Sequence, residues 1–300
     1  MQIPFVTVDV FTDRKFGGNP LAVVPDATGL TGAQMQAIAG EFNLAETTFV
    51  LPPQDRAHTA QVRIFTPRAE LPFAGHPNIG TAYVLAAEAN RAGRAPAEPL
   101  VFEEKAGLVR LDLIKEGKCV VGARLAPPQA LVRGEEVAAE IAAAACSLEP
   151  GDVEIANHRP CIASCGIPFM FAELKTRATL SAARPRVDVF AKHLPAEHVT
   201  GVLLYVHDRS DGFDLQVRMF GPLVGIHEDA ASGSPNVALA GLLASLQPEP
   251  DLSLALRIGQ GIDMGRPSLL EASAEKRGGK IIVMSIGGRC APMMRGVLEI

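Results

Sequence analysis

The chain has 300 residues, 48% of them hydrophobic and 20% charged, with a formal net charge of -5. That length suffices for two ordinary domains with their own cores, and the composition is far from that of a disordered chain. No lysine- or arginine-rich run stands ready to neutralise phosphates, so a nucleic-acid surface is not expected.

Residues 1–9 alternate apolar and polar side chains, without the basic-then-apolar order of a signal peptide, and a cytoplasmic protein is expected. Residues 6–11, 21–24 and 47–51 read as strands bounded by Gly, Pro and Asp. Between them Thr31-x-x-Gln34 has the form of a capping box. Met35, Ile38, Ala39 and Phe42 follow at helical spacing and predict one apolar face of a surface helix. Glu46 falls at the junction of that helix and the apolar strand after it. A carboxylate against buried surface is pushed toward a neutral pKa, where it can give and take protons. By spacing alone, a solvated loop glutamate fits as well.

Gly75-His76-Pro77-Asn78 opens a run in which Ile79, Ala82, Tyr83, Val84, Leu85 and Ala86 leave no polar face. Such a helix must be buried all round. The same pattern returns 158 residues later as Gly233-Ser234-Pro235-Asn236, followed by an apolar run to Ala244. Upstream, Val62-Arg63-Ile64-Phe65-Thr66-Pro67 returns 155 residues later as Val217-Arg218-Met219-Phe220-Gly221-Pro222. The difference predicts a three-residue insertion in the loop before the second helix. A period this long means two similar domains and not a solenoid. The expected boundary is Pro127-Pro128, giving domains of residues 1–127 and 128–280. The carboxyl-terminal strand, about residues 281–300, is a candidate to return to the first.

In both helix starts, Pro is expected at the first helical position, with Gly75-His76 and Gly233-Ser234 just ahead of it. Glycine lets backbone approach a ligand closely, and first-turn amides attract anions. Facing each other across a cleft, two such starts would hold carboxylates. Taken singly, each start reads equally as an ordinary cap made by Ser234 or the His76 ring. Glu228-Asp229 lies just ahead of Gly233, in the expected insertion loop, and loops carry chemistry more often than scaffold does.

Other chemistries find little support. The apolar stretch near residues 138–148 is too short to span a bilayer and carries Glu140, so no membrane partner is expected. Cys119, Cys146, Cys161, Cys165 and Cys290 form no CxxC pair and read as buried thiols. Cys161 and Cys165 suit one helix face, but no histidine follows at zinc spacing, and no metal is expected. His193 and His198 are separated by Pro195 and share no helix face. Gly17-Gly18-Asn19-Pro20 lacks the context of a dinucleotide fingerprint and no P-loop occurs, so no cofactor is expected.

These residues resemble the PhzF-like proteins, related in fold to diaminopimelate epimerase. Asp9-Val10-Phe11-Thr12 with Gly18-Asn19-Pro20-Leu21 resembles the family's opening strand and turn. Leu44-Ala45-Glu46-Thr47-Thr48 resembles its catalytic-glutamate segment, and Phe73-Ala74-Gly75-His76-Pro77 its first helix start. Glu228-Asp229-Ala230-Ala231-Ser232-Gly233-Ser234 resembles the second start, and Gln260-Gly261 with Met264-Gly265-Arg266 a late motif. Ala230, Ser232 and Pro235 depart from the usual Pro, Thr and Ala of the second motif.

The resemblance implies an α+β protein of two similar domains, each a mostly antiparallel curved sheet around a central apolar helix, and a homodimer. It implies a cofactor-independent isomerase or epimerase that moves a proton between carbons of a small carboxylic acid. Glu46 would be the acid/base, with His76 and Asp229 steering protons and Asn19, Gly75, Gly233 and Ser234 contacting substrate. The epimerases' paired thiols have no counterpart, because no cysteine lies near Glu46, His76 or Ser234. A non-catalytic small-acid-binding or interaction protein on the same fold is the alternative.

Overall fold

The structure, a computed structural model, describes residues 1–300 apart from the side chain of Ser210. Backbone proximity divides the chain into two compact units, Met1–Ala126 with Gly287–Ile300, and Pro127–Ile286.

The first unit runs β1 (Gln2–Val10), β2 (Asn19–Val24), α1 (Gly32–Phe42), β3 (Glu46–Leu51), β4 (Ala60–Phe65), β5 (Glu70–Leu71), α2 (Gly75–Arg91), β6 (Leu100–Glu104), β7 (Gly107–Glu116) and β8 (Cys119–Leu125). β1 ends where Phe11 turns left-handed at φ 66°. The expected capping box forms: Thr31 Oγ1 accepts from the Gln34 amide at 3.3 Å, and Gln34 Oε1 from the Thr31 amide at 2.9 Å. Asn43, left-handed at φ 48°, ends α1 and delivers the chain to Glu46 three residues on. Met35, Ile38 and Ala39 pack with Phe49 and Phe65, whose rings meet edge-to-face at 5.4 Å. An aromatic pair in that geometry adds about 0.5–1.5 kcal/mol beyond its burial.

Two parallel pairings organise the sheet. β2 runs parallel to β3 and β4 parallel to β6, while β1–β2, β3–β4, β4–β5, β6–β7 and β7–β8 are antiparallel. α2 packs on β1, β2, β3, β7 and β8. Gly75 through Ala82 are buried; beyond them Asn90 and Arg91 reach solvent. The first half of the helix thus has no solvent face, as its composition requires.

The second unit runs β9 (Val132–Glu136), α3 (Ala139–Ala145), β10 (Val153–Glu154), β11 (Cys161–Ser164), β12 (Pro168–Leu174), α4 (Arg177–Ala182), α5 (Val187–His193), β13 (Gly201–Val206), β14 (Leu215–Gly221), β15 (Ile226–Asp229), α6 (Gly233–Leu246), β16 (Leu252–Gln260) and β17 (Ser268–Arg277). The pairing pattern of the first unit recurs. β12 is parallel to β13 and β14 to β16; β13–β14, β14–β15 and β16–β17 are antiparallel. α6 packs on β11, β12, β16 and β17 and is buried from Pro235 to Ala244. Each leucine so enclosed is worth about 1.5–3 kcal/mol against exposure. Among the described residues no helix is long and apolar enough to cross a membrane.

β18 (Lys280–Glu299) closes the chain, and its residues from Cys290 to Glu299 pair antiparallel with β1, Cys290 opposite Val10 and Glu299 opposite Gln2.

Three local expectations need correction. Cys161 and Cys165 do not share a helix face, because Cys161 starts β11 and Cys165 follows its last residue. The β-branched and small residues between them favour a strand over a turn of helix. Glu228 and Asp229 are not in a loop. They end β15, where β14 offers an open edge and Met219 pairs with Asp229. Finally, Pro77 and Pro235 are third in their helices and not first, since α2 begins at Gly75 and α6 at Gly233. Proline lacks only the amide that goes unpaired throughout the first turn, so its rule constrains the turn and not the exact residue.

Candidate active site

Asn19 and Glu46 are the first residues of the parallel neighbours β2 and β3, with Leu21 in register with Glu46. Gly18 makes the entry to β2 possible: its φ is +62°, and a Cβ there would meet the Val10 carbonyl oxygen at 2.3 Å. α2 then lies close over β1 and β2 at Gly80, where a Cβ would meet Leu21 Cδ2 at 2.5 Å and Val10 Cγ2 at 2.8 Å. That approach brings His76, second in α2, onto the strand ends. His76 Nε2 is 3.3 Å from Glu46 Oε2, and His76 Nδ1 is 3.5 Å from Asn19 Nδ2.

The three side chains define one proton arrangement. The Asn19 amide nitrogen carries only donors, so Nδ1 of His76 accepts and Nε2 carries the hydrogen; Nε2 lies close to Glu46 Oε2 without a hydrogen bond between them. His76 is 5% exposed, and burial pushes its imidazole down to about 3. The carboxylate nearby would favour the charged ring, but with the ring fully enclosed the desolvation cost is the larger effect, and we take His76 as neutral. The side chains of His76 and Glu46 are 6% and 12% exposed, so both are largely enclosed. The residue before α2 is Ala74, whose side chain cannot cap the helix, so the first-turn amides keep their partial positive charge.

The second unit carries the matching helix start. Ser232 occupies the cap position, not Ser234, which is second in α6 and half-buried. The Ser232 hydroxyl donates to Asp229 Oδ2. Gln260, at the end of β16, ties the start together: its Oε1 accepts from the Ser232 amide at 3.1 Å and from Asn236 Nδ2 at 2.8 Å. Its Nε2 donates to the Asp229 carbonyl at 2.9 Å. Asn236 also donates to the Ser232 carbonyl at 2.8 Å. Asp229 thus sits at a helix start held by side chains that are almost wholly buried.

Motif reading alone missed Asn78 and Asn236, fourth in their helices. Asn78 Nδ2 donates to the Ala74 carbonyl at 3.0 Å as Asn236 does to Ser232. Both side chains are fully buried. The signal was present, because both asparagines stand inside the repeated segment. A second matched pair flanks them. Arg63 and Glu70 form a two-pronged ion pair with both contacts at 2.8 Å; Arg218 and Glu228 form another at 2.7 and 2.8 Å. Each guanidinium also lies over a phenylalanine, Phe65 at 5.1 Å and Phe220 at 4.9 Å. Arg63 holds the Glu70 carboxyl below its ordinary range.

Residues 8–296 match the family described as phenazine biosynthesis-like protein. The chain is 37% identical to an uncharacterized isomerase of Mesorhizobium japonicum, over 99% of this chain and 98% of that protein. It is 34% identical to the trans-2,3-dihydro-3-hydroxyanthranilate isomerase of Pseudomonas chlororaphis, over 98% of each. In fold it is similar to the crystal structure of a PhzF-family protein of Bacillus anthracis, with a TM-score of 0.88, 22% identity and full coverage of both chains. A hydroxyproline epimerase from Agrobacterium vitis, solved with bound trans-4-hydroxy-L-proline, is similar at a TM-score of 0.62 and 17% identity, over 99% of this chain and 91% of that one. The sheet-rich α+β fold is therefore the one these isomerases and epimerases share. With nearly its whole length matched, the chain belongs to the phenazine biosynthesis-like family and is an isomerase.

Proposed function

We propose that the chain is a cofactor-independent isomerase in which Glu46 moves a proton between carbons of a small carboxylic acid. The observation that carries this reading is the Asn19–His76–Glu46 chain at the uncapped start of α2. Glu46, ionised, takes a proton from a carbon made acidic by a neighbouring carboxylate or conjugated system, and returns it to another carbon of the same molecule. The amides of Gly75 and His76 are proposed to take the negative charge that builds up during the transfer, since donors fixed in advance stabilise such charge without reorganising. Neutral His76, its Nε2 3.3 Å from Glu46 Oε2, is proposed to flank the carboxyl group and to steer the proton without contributing a charge of its own. In the second unit, Asp229 is proposed as a further proton-handling group, and the starts at Gly233 and Ser234 as a second carboxylate seat. The matching units are proposed to descend from one duplicated domain, each a curved sheet around its apolar helix. The recurring strand order and the paired Arg–Glu contacts support that.

The test is deuterium incorporation from D2O into trans-2,3-dihydro-3-hydroxyanthranilate and a panel of cyclic hydroxy and amino acids, followed by NMR. The parent should exchange and isomerise at least one of them. Glu46→Gln, with an unchanged melting temperature, should lower the rate by about a hundredfold to ten-thousandfold. Undiminished exchange in that variant would remove Glu46 from the mechanism.

A further inference from the structure

Glu104 ends β6 as Gln260 ends β16. The equivalence follows from strand register: Gln61 pairs with Glu103 and Gln216 with Gly259, and Gln61 and Gln216 are matching positions of the sequence repeat. Residues 100, 102 and 104 alternate onto one face of β6, and Leu100 and Phe102 on that face are fully buried. Asn78, the counterpart of Asn236, is within reach of the Glu104 carboxyl group. Neither carboxyl oxygen makes a hydrogen bond to any of the described residues, and both are shut off from solvent.

A carboxylate in that place would be a buried charge with no cation to answer it, the costliest of buried groups. The charged neighbours are already committed. Lys105 and Arg63 of β4 bind Glu70, and the His58 ring lies against Glu103. On β7, Arg110 and Asp112 face each other, and in the first turn of α2 the one titratable group is His76. The Gln260 carboxamide has one accepting and one donating end, and uses both. A glutamate has the same two ends only when it carries a proton.

We propose that Glu104, as a neutral acid, is a positioning residue that stands in for a carboxamide: through Asn78 it fixes the first turn of α2 and thereby the aim of His76 at Glu46. Burial pushes the Glu104 carboxyl up to about 8, so the neutral form prevails at neutral pH. Ionisation above that value places a charge in a site where burial penalises it, with only the Asn78 side chain to offset the cost. The inference rests on the proposed role of Glu46 for its catalytic meaning, but its structural core can be tested apart from it.

The experiment compares the parent with E104Q, E104L and E46Q. Two readouts need no substrate: melting temperature from about pH 6 to about pH 9, and the 15N shifts of the His76 ring. Glu104 binds a proton in the folded chain that it lacks when unfolded above its ordinary value of 4.5, so the parent should lose stability as pH rises through 8. E104Q should lose that slope and keep the parent's ring shifts; E104L should lose the slope and move the shifts. E46Q should keep the slope. With trans-2,3-dihydro-3-hydroxyanthranilate as probe in D2O, E104L should exchange about tenfold to a hundredfold more slowly, mostly in kcat. E104Q should recover that loss and flatten the alkaline limb. Parent-like ring shifts in E104L, or an undiminished pH slope in E104Q, would overturn the proposal even if Glu46 proved catalytic. A lost slope with displaced ring shifts would uphold it even if E46Q remained active.

Discussion

His76 shows how little a histidine's ordinary titration says about one inside a protein. With the ring enclosed and its imidazole pushed down to about 3, no charge change belongs to it anywhere near neutrality. Its 15N shifts should therefore stay constant between about pH 5 and about pH 8, with the hydrogen on Nε2, and the pH–rate profile should have no limb near 6.5. A ring that titrates near 6.5 would make the contact with Glu46 an ion pair and change its role. Asn19, Glu46 and His76 were all readable as motif residues, but their convergence comes from the parallel register of β2 and β3, which no motif states. Glu104 was hidden for a different reason. In Phe102-Glu103-Glu104-Lys105 the acidic pair reads as a solvated strand end, because charged residues are mostly exposed. Only the period-two face shared with Leu100 and Phe102 marks it otherwise.

At the scale of elements, the site depends on how closely α2 lies on β1 and β2. Gly80 sets that distance. Gly80→Ala should destabilise the chain by about 1–3 kcal/mol, as overpacking does. The measurement is a shift of the denaturation midpoint at constant slope. Gly151→Ala, where an added Cβ meets nothing within 4 Å, is the control and should stay within about 0.5 kcal/mol of the parent. Equal effects at the two positions would mean that α2 can retreat without cost. The apolar runs that became α2 and α6 were plain in the sequence, since nothing but burial suits a helix with no polar face. Their first residues were not, because glycine ahead of proline is read as a break when it can equally be the first turn. β15 was missed because its four residues hold two acids, and what recruits them is the edge of the preceding strand β14 and its Arg218 guanidinium, which the local pattern of residues 226–229 does not show.

For the molecule as a whole, two buried groups with opposite shifts should shape stability against pH. His76 is neutral when folded down to about 3, whereas an unfolded histidine takes a proton below 6.5; its contribution is lost as pH falls. Glu104 is protonated when folded up to about 8, whereas an unfolded glutamate releases its proton above 4.5; its contribution is lost as pH rises. Between those two ordinary values the proton counts cancel. Melting temperature should therefore be highest and flattest from about pH 4.5 to 6.5, and fall on both sides. A curve still rising between about pH 7 and about pH 8 would contradict the pair of assignments. The repeat preserves side chains at the same places in two stretches of the chain, and each stretch carries two parallel strand pairings. What it could not convey is which segments complete each unit, since strand partners are chosen by edges and not by sequence order.

That choice of partners has a consequence for how the protein is made. β1 leaves the ribosome long before its antiparallel partner, the end of β18. The second unit has all its residues once Ile286 has been added, while the first, begun earlier, still awaits Gly287–Ile300. Because synthesis proceeds from the amino terminus and domains tend to fold as units, the half translated second can finish folding first. Until the end of β18 emerges, β1 presents one open edge, and the Glu46–His76 pair belongs to a unit that still lacks it.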